Sequence, residues 1–112
     1  MLRQGILNPN INSLLSRVRH TNTLVIADRG FPRVLDVLRA VQEQCNFGTA
    51  FMAGEFRSAN LPATEQEFRI ALRQVPLTFE PHVDFKKRVP SAIGLIRTGD
   101  TIQYANIILE SA

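Results

Sequence analysis

The stretch Thr23-Leu24-Val25-Ile26-Ala27 is an unbroken, β-branched apolar run that stops at Asp28-Arg29-Gly30, and no other feature constrains the fold as much. A strand that is apolar on both sides must be covered on both sides, which predicts a sheet sandwiched between helices. Directly after it, Val34, Leu35, Val37, Leu38 and Val41 recur with a period of 3.6, predicting a helix that ends near Asn46-Phe47-Gly48. The alternation continues with a strand from Thr49 to Ala53, a helix from Pro62 to Gln74 entered through proline, and a strand around Leu77 to Phe79. A short helix, His82 to Arg88, and a fourth strand, Ala92 to Ile96, follow. Ile107-Ile108-Leu109 reads as a last strand; its connection to the fourth is too short for a helical crossover, so it is expected antiparallel to it. A short amphipathic helix, Asn10 to Arg19, precedes the first strand. This order predicts an α/β fold: a three-layer α/β/α single domain over residues 1–112, with a largely parallel sheet and an antiparallel C-terminal strand.

The chain has 112 residues, 45% hydrophobic and 21% charged, enough to bury a core without disulfides. Its lone cysteine, Cys45, and the absence of a secretion-type start predict a cytoplasmic protein, and no apolar stretch is long enough to cross a membrane. The pI near 9.8 suggests nucleic acid, yet 13 basic residues against 10 acidic ones give only +3. The basic residues are scattered apart from Lys86-Lys87-Arg88, whereas a dedicated phosphate-backbone binder shows a contiguous basic stripe. Gly30, Gly48 and Gly54 are isolated, and no CxxC or HExxH spacing occurs. Neither a nucleotide cofactor nor a metal site is expected.

In an α/β sheet, ligands sit beyond the carboxyl ends of the strands, which directs attention to Asp28, to the region of His82 and to the Arg97 to Asn106 connection. Asp28 either makes a turn with Gly30 or serves as a strand-end carboxylate. His20, held by a polar turn before the first strand, is either a helix-end histidine favoured by the dipole or a proton carrier. Together the two form a possible acid–base pair. His82, where strand passes to helix, suits binding and ordinary capping equally. Tyr104 and Asn106, two apart, would leave the same face of an extended chain, although an edge or core tyrosine is the plainer reading. Cys45 is expected to pack at a helix end.

Several segments resemble the D-ribose pyranase and fucose mutarotase family, the ribose branch more closely. They are Gly5-Ile6-Leu7-Asn8, Arg17 to Pro32 with its His20-Thr21-Asn22-Thr23 turn and Asp28-Arg29-Gly30-Phe31-Pro32 strand end, Ile96-Arg97-Thr98-Gly99-Asp100, and Tyr104-Ala105-Asn106-Ile107-Ile108-Leu109. The resemblance implies a cofactor-free isomerase that interconverts cyclic forms of a free monosaccharide, chiefly the pyranose and furanose forms of D-ribose, by acid–base ring opening and reclosure. It implies His20 as the catalytic histidine, with Asp28, His82, Tyr104, Ala105 and Asn106 contacting the sugar; the chemistry of ring opening suits His20 as proton donor to the ring oxygen. It also implies a ring-shaped homo-oligomer, commonly a decamer, with the pocket near a subunit boundary, and no nucleic-acid or membrane partner.

The chain departs from the family pattern. A loop that ribose-type members carry after Gly30-Phe31-Pro32 is absent, which bears on one pocket wall or ring contact. Arg29 stands where a small residue is usual, and its guanidinium would favour the anionic form of Asp28. Two readings from other classes compete: a sugar-binding accessory of an uptake system without turnover, and a basic nucleic-acid-associated protein, which the pI alone favours.

Overall fold

The computed structural model describes residues 14–27, 33–97 and 102–112. Five strands form one sheet: β1 (Thr23–Ala27), β2 (Phe47–Ala53), β3 (Leu77–Glu80), β4 (Gly94–Arg97) and β5 (Ile107–Ser111), in the spatial order β3-β2-β5-β1-β4. The pairs β1–β4 and β2–β3 are parallel, and β5 runs antiparallel to both β1 and β2. β1 through β4 therefore point the same way, as the alternation of elements predicts.

β5 departs from expectation in its neighbours. It does not pair with β4 but fills the centre of the sheet, between β1 and β2. Ile107, Ile108 and Leu109 are all fully buried, so three successive side chains, on both sides of the strand, need apolar cover that a central position supplies.

The helices are α1 (Val34–Gln44), α2 (Glu55–Ala59), α3 (Pro62–Leu72) and α4 (His82–Arg88), with a 3₁₀ turn at Val89–Ser91. The two faces are covered unequally. On one, Val34, Leu38 and Val41 of α1 and Phe68 and Leu72 of α3 bury Leu24, Ile26, Met52, Ile107 and Leu109 in the main core. On the other, Phe85 of α4 packs on Val25, Ala53 and Ile108, with Phe51, Val89 and Ala92 at its margin.

Several boundaries move. α1 ends at Gln44 with Cys45 as its cap, so Phe47 and Gly48 already belong to β2. α3 stops at Leu72 because Arg73 takes a left-handed φ of 59°. The 3₁₀ turn delays β4 to Gly94. Residues 14–16 are helical with Leu14 and Leu15 buried, but the helix stops there, three residues short of the predicted end at Arg19, in a turn closed by Arg17 N–H to the Leu14 carbonyl; the part before Leu14 lies outside the described residues. Helix α2 has no counterpart in the sequence reading: Phe56 is its one large apolar residue, which leaves no period to detect.

Candidate functional site

The carboxyl ends of β2 and β3 and the start of β5 converge on one edge of the sheet, and there the structure gathers His82, Tyr104 and Asn106. His82 opens α4 immediately after β3, and Tyr104 lies in the turn leading into β5. Their rings meet edge to face with centroids 5.3 Å apart, and the other side of the imidazole stacks against Phe85 at 6.3 Å. The imidazole Nδ1 is buried with no hydrogen-bond partner. Tyr104 is 40% exposed and its φ is +54°, so it sits in a turn and not in the extended chain the spacing suggested. Ala105 is fully buried in the main core and wedges between Tyr104 and the half-buried Asn106.

An open cleft of about 480 Å³ lies at the same edge, lined by Gly54, Glu55, Ser58, Phe79, Glu80 and Pro81. Glu55 accepts the backbone N–H of His82 on its carboxylate, at 3.0 and 3.2 Å. The Asn60 side-chain amide donates to the carbonyls of Phe56 and Gln103, both at 2.8 Å. Glu80 is held by Arg88 Nε at 2.5 and 2.8 Å, and this hydrogen bond raises the Arg88 pKa above its ordinary value. The carboxylates of Glu55 and Glu80 line this open cleft, and the His82 imidazole, the Tyr104 phenol and the Asn106 amide belong to the segments beside it; groups of these kinds can exchange hydrogen bonds with a polyhydroxylated ligand.

His20 lies elsewhere. It is exposed, at the amino end of β1, in a turn closed by Arg19 N–H to Asn22 Oδ1 at 2.7 Å and by Thr21 N–H to the Ser111 carbonyl at 3.2 Å. β1 spans five residues, about 16 Å at roughly 3.3 Å each, so His20 and the Tyr104 turn lie at opposite ends of the sheet's strands. Three described non-glycine residues have positive φ, namely Thr21, Arg73 and Tyr104. Two of these strained positions are a candidate residue or its neighbour, the pattern expected where surroundings hold a functional backbone in place. Asp28 and Arg29 lie outside the described residues. Cys45 caps α1, and partial burial pushes its thiol pKa up, which suits packing rather than nucleophilic attack. Among the described residues no set of three or more His, Cys, Asp or Glu is arranged to hold a metal, and no helix is long and apolar enough to cross a membrane.

The carboxyl-end rule applied to β2 would have pointed to Glu55, which follows Ala53-Gly54 directly. Asn60 carries no comparable signal, because its role depends on a contact with Gln103, far away in the chain.

The sequence matches the RbsD / FucU transport protein family over residues 1–34 and 29–112. The chain belongs to this family. It is 37% identical to a D-ribose pyranase from Geobacillus kaustophilus, over 99% of this chain and 93% of that one, and 35% identical to a D-ribose pyranase from Geobacillus thermodenitrificans, over 99% and 96%. Both alignments run to 128 positions against 112 residues here, so the chain leaves at least 16 of them blank. Among solved structures, the Bacillus subtilis RbsD complexed with D-ribose superposes with a TM-score of 0.86 at 25% identity, over 100% of this chain and 98% of that one. The fucose mutarotase from Streptococcus pneumoniae, in complex with L-fucose, shares the fold at a TM-score of 0.77 and 18% identity, over 94% and 92%.

Proposed function

We propose that this RbsD/FucU family member is a sugar mutarotase of the D-ribose pyranase type, a cytoplasmic isomerase that exchanges the pyranose and furanose forms of free D-ribose. The observation that carries this reading is the meeting of His82 and Tyr104, from two separate segments, beside the open cleft at the carboxyl edge. The similarity to D-ribose pyranases along nearly the whole chain supports the same substrate.

Ring opening needs one proton removed from the anomeric hydroxyl and one delivered to the ring oxygen, whereupon the C1–O bond breaks and the aldehyde appears. Reclosure by a different hydroxyl returns both protons and gives the other ring size. A histidine, with a reference pKa near 6.5, can carry either proton at neutral pH, and such a positioned group contributes roughly 10²–10⁴-fold. In our reading His20 donates to the ring oxygen, while His82, Tyr104 and Asn106, with Asp28, hold the hydroxyls and keep the opened aldehyde bound. The backbone at Ala105 carries Tyr104 and Asn106 into place. Because Nδ1 of His82 is buried without a partner, the tautomer with hydrogen on Nε2 leaves only a lone pair orphaned there, not a donor.

His20 cannot reach the Tyr104 turn of its own subunit, so a complete site takes His20 from a second copy. The working form is then a homo-oligomer whose subunit boundary runs through the pocket, and a ring, commonly a decamer, meets that requirement. Val83, 63% exposed beside His82, and Tyr104 give this edge the apolar surface a subunit contact needs.

Proton NMR saturation transfer on D-ribose tests the reading. The protein is expected to accelerate pyranose–furanose exchange, and His20→Ala to lose about 10²-fold or more of that acceleration while still binding ribose. Ribose binding without acceleration by the unmodified protein would replace the enzyme by a sugar-binding accessory, the reading that the blank positions favour.

A further inference from the structure

Helix α2 is too short to persist by its own hydrogen bonds, yet it is the most tightly tied element near the cleft. Phe56 is fully buried, with its ring 5.1 Å from Phe68 edge to face and 6.2 Å from Phe79 in a stack. Arg57 lies 4.0 Å over the Phe79 ring and reaches Glu65 of α3 through Nε at 2.7 Å. Around this anchor, two polar side chains reach in different directions. Glu55, the first residue of α2, holds the backbone N–H of His82; Asn60, just after its end, holds the carbonyl of Gln103.

Both bonds end on backbone atoms of the two segments that carry the candidate sugar contacts, so neither uses an atom of the imidazole or the phenol. The Gln103 bond is the more telling of the two. The Gln103 carbonyl belongs to the peptide plane whose rotation against Cα of Tyr104 is the Tyr104 φ, and that φ is +54°. A tyrosine in the left-handed region is strained and persists only where its surroundings hold it. Asn60 grips the plane that would have to turn for the strain to relax. The same amide also binds the Phe56 carbonyl, which fixes the amide to the anchored helix.

We propose that α2 is the positioning element of the sugar site, with Glu55 and Asn60 as positioning residues that set the His82 segment and the Tyr104 turn at their mutual distance and keep Tyr104 in its strained backbone conformation. The proposal rests on the mutarotase reading for its ligand. The cleft is then held in its binding geometry before the sugar arrives, and the two residues act on ribose binding more than on the proton transfers.

The test measures pyranose–furanose exchange against ribose concentration for the unmodified protein, Asn60→Asp, Glu55→Ala and Glu55→Gln, alongside ribose binding by calorimetry and a thermal midpoint for each. Asn60→Asp keeps the shape but turns the donor into an oxygen facing two carbonyls. Asn60→Asp and Glu55→Ala are each expected to raise the half-saturating ribose about tenfold, with maximal exchange per folded subunit changing less than about threefold. Glu55→Gln, which keeps an acceptor oxygen for the His82 N–H, is expected to recover most of that loss. Unchanged half-saturation in Asn60→Asp and Glu55→Ala would overturn the proposal. So would a lower thermal midpoint with fewer active subunits and normal half-saturation, since that marks support of the fold alone. If the unmodified protein binds ribose without accelerating exchange, the mutarotase reading fails while the calorimetric shifts still decide the positioning role. If it does neither, both fail.

Discussion

The two ends of the parallel strands are built in opposite ways. At the carboxyl end, His82 and Tyr104 press ring against ring, their backbones are gripped by Glu55 and Asn60, and Phe56 roots that grip in the core. At the amino end, His20 stands exposed on a turn held by bonds among its neighbours and one to Ser111. The contrast separates two tasks. In the proposed reaction, recognition of several hydroxyls needs groups fixed relative to each other, whereas proton delivery needs one group brought to one atom, and in the proposed homo-oligomer a second subunit brings it.

The strongest way to break this contrast is to divide the two ends between chains. His20→Ala and Tyr104→Ala should each be nearly inactive alone. Co-expressed in equal amounts, they should regain up to about a quarter of normal exchange, because one site in four then draws an intact His20 and an intact Tyr104 from different copies. No recovery in co-assembled protein would put both residues in sites that a single chain completes. A smaller effect is expected from the anchor. Phe56→Ala should lower stability to chemical denaturation by about 3–5 kcal/mol, as for other buried aromatic truncations. A loss under about 1 kcal/mol would show that the carboxyl end is not rooted in the core through this ring.

The smallest effect concerns the ion pairs at the surface of the anchor. The Arg57 hydrogen bond, with that of Arg69 at 2.9 Å, holds the Glu65 carboxyl below its ordinary value of 4.5. A lowered folded-state pKa contributes stability that is present in full above 4.5 and fades as the pH drops through the lowered value. Glu65→Gln should therefore cost at most about 1 kcal/mol at pH 7, the pairs being partly open to solvent, and the gap from the unmodified protein should close on acidification below 4.5. A gap that held constant into acid would assign the effect to packing instead.

Much of this was legible from local pattern. The run Thr23 to Ala27 and the 3.6-residue period from Val34 to Val41 announce a covered sheet because burial leaves its period in the sequence. His82, Tyr104 and Asn106 were singled out as candidates by the strand-end rule and by family resemblance together. The place of His20 before β1 was legible, but whether its turn stays at the amino end or folds over the sheet toward the others was not, since that depends on contacts such as Thr21 N–H to the Ser111 carbonyl. Nor was α2, whose stability comes from Phe68, Phe79 and Glu65 rather than from any repeat of its own. The place of β5 was half visible: Ile107-Ile108-Leu109, apolar on both sides, argues for a central strand, whereas the short connection from β4 suggested an edge partner.

That central strand bears on how the molecule comes into being. Without β5, the sheet is two separate ribbons, β1 with β4 and β2 with β3, each with an open hydrogen-bonding edge. During synthesis both ribbons wait until residues 107–111 have been made, because β5 alone bridges them. Assembly then depends on contacts between distant parts of the chain, which slows folding and leaves unpaired edges available for wrong partners in the interval.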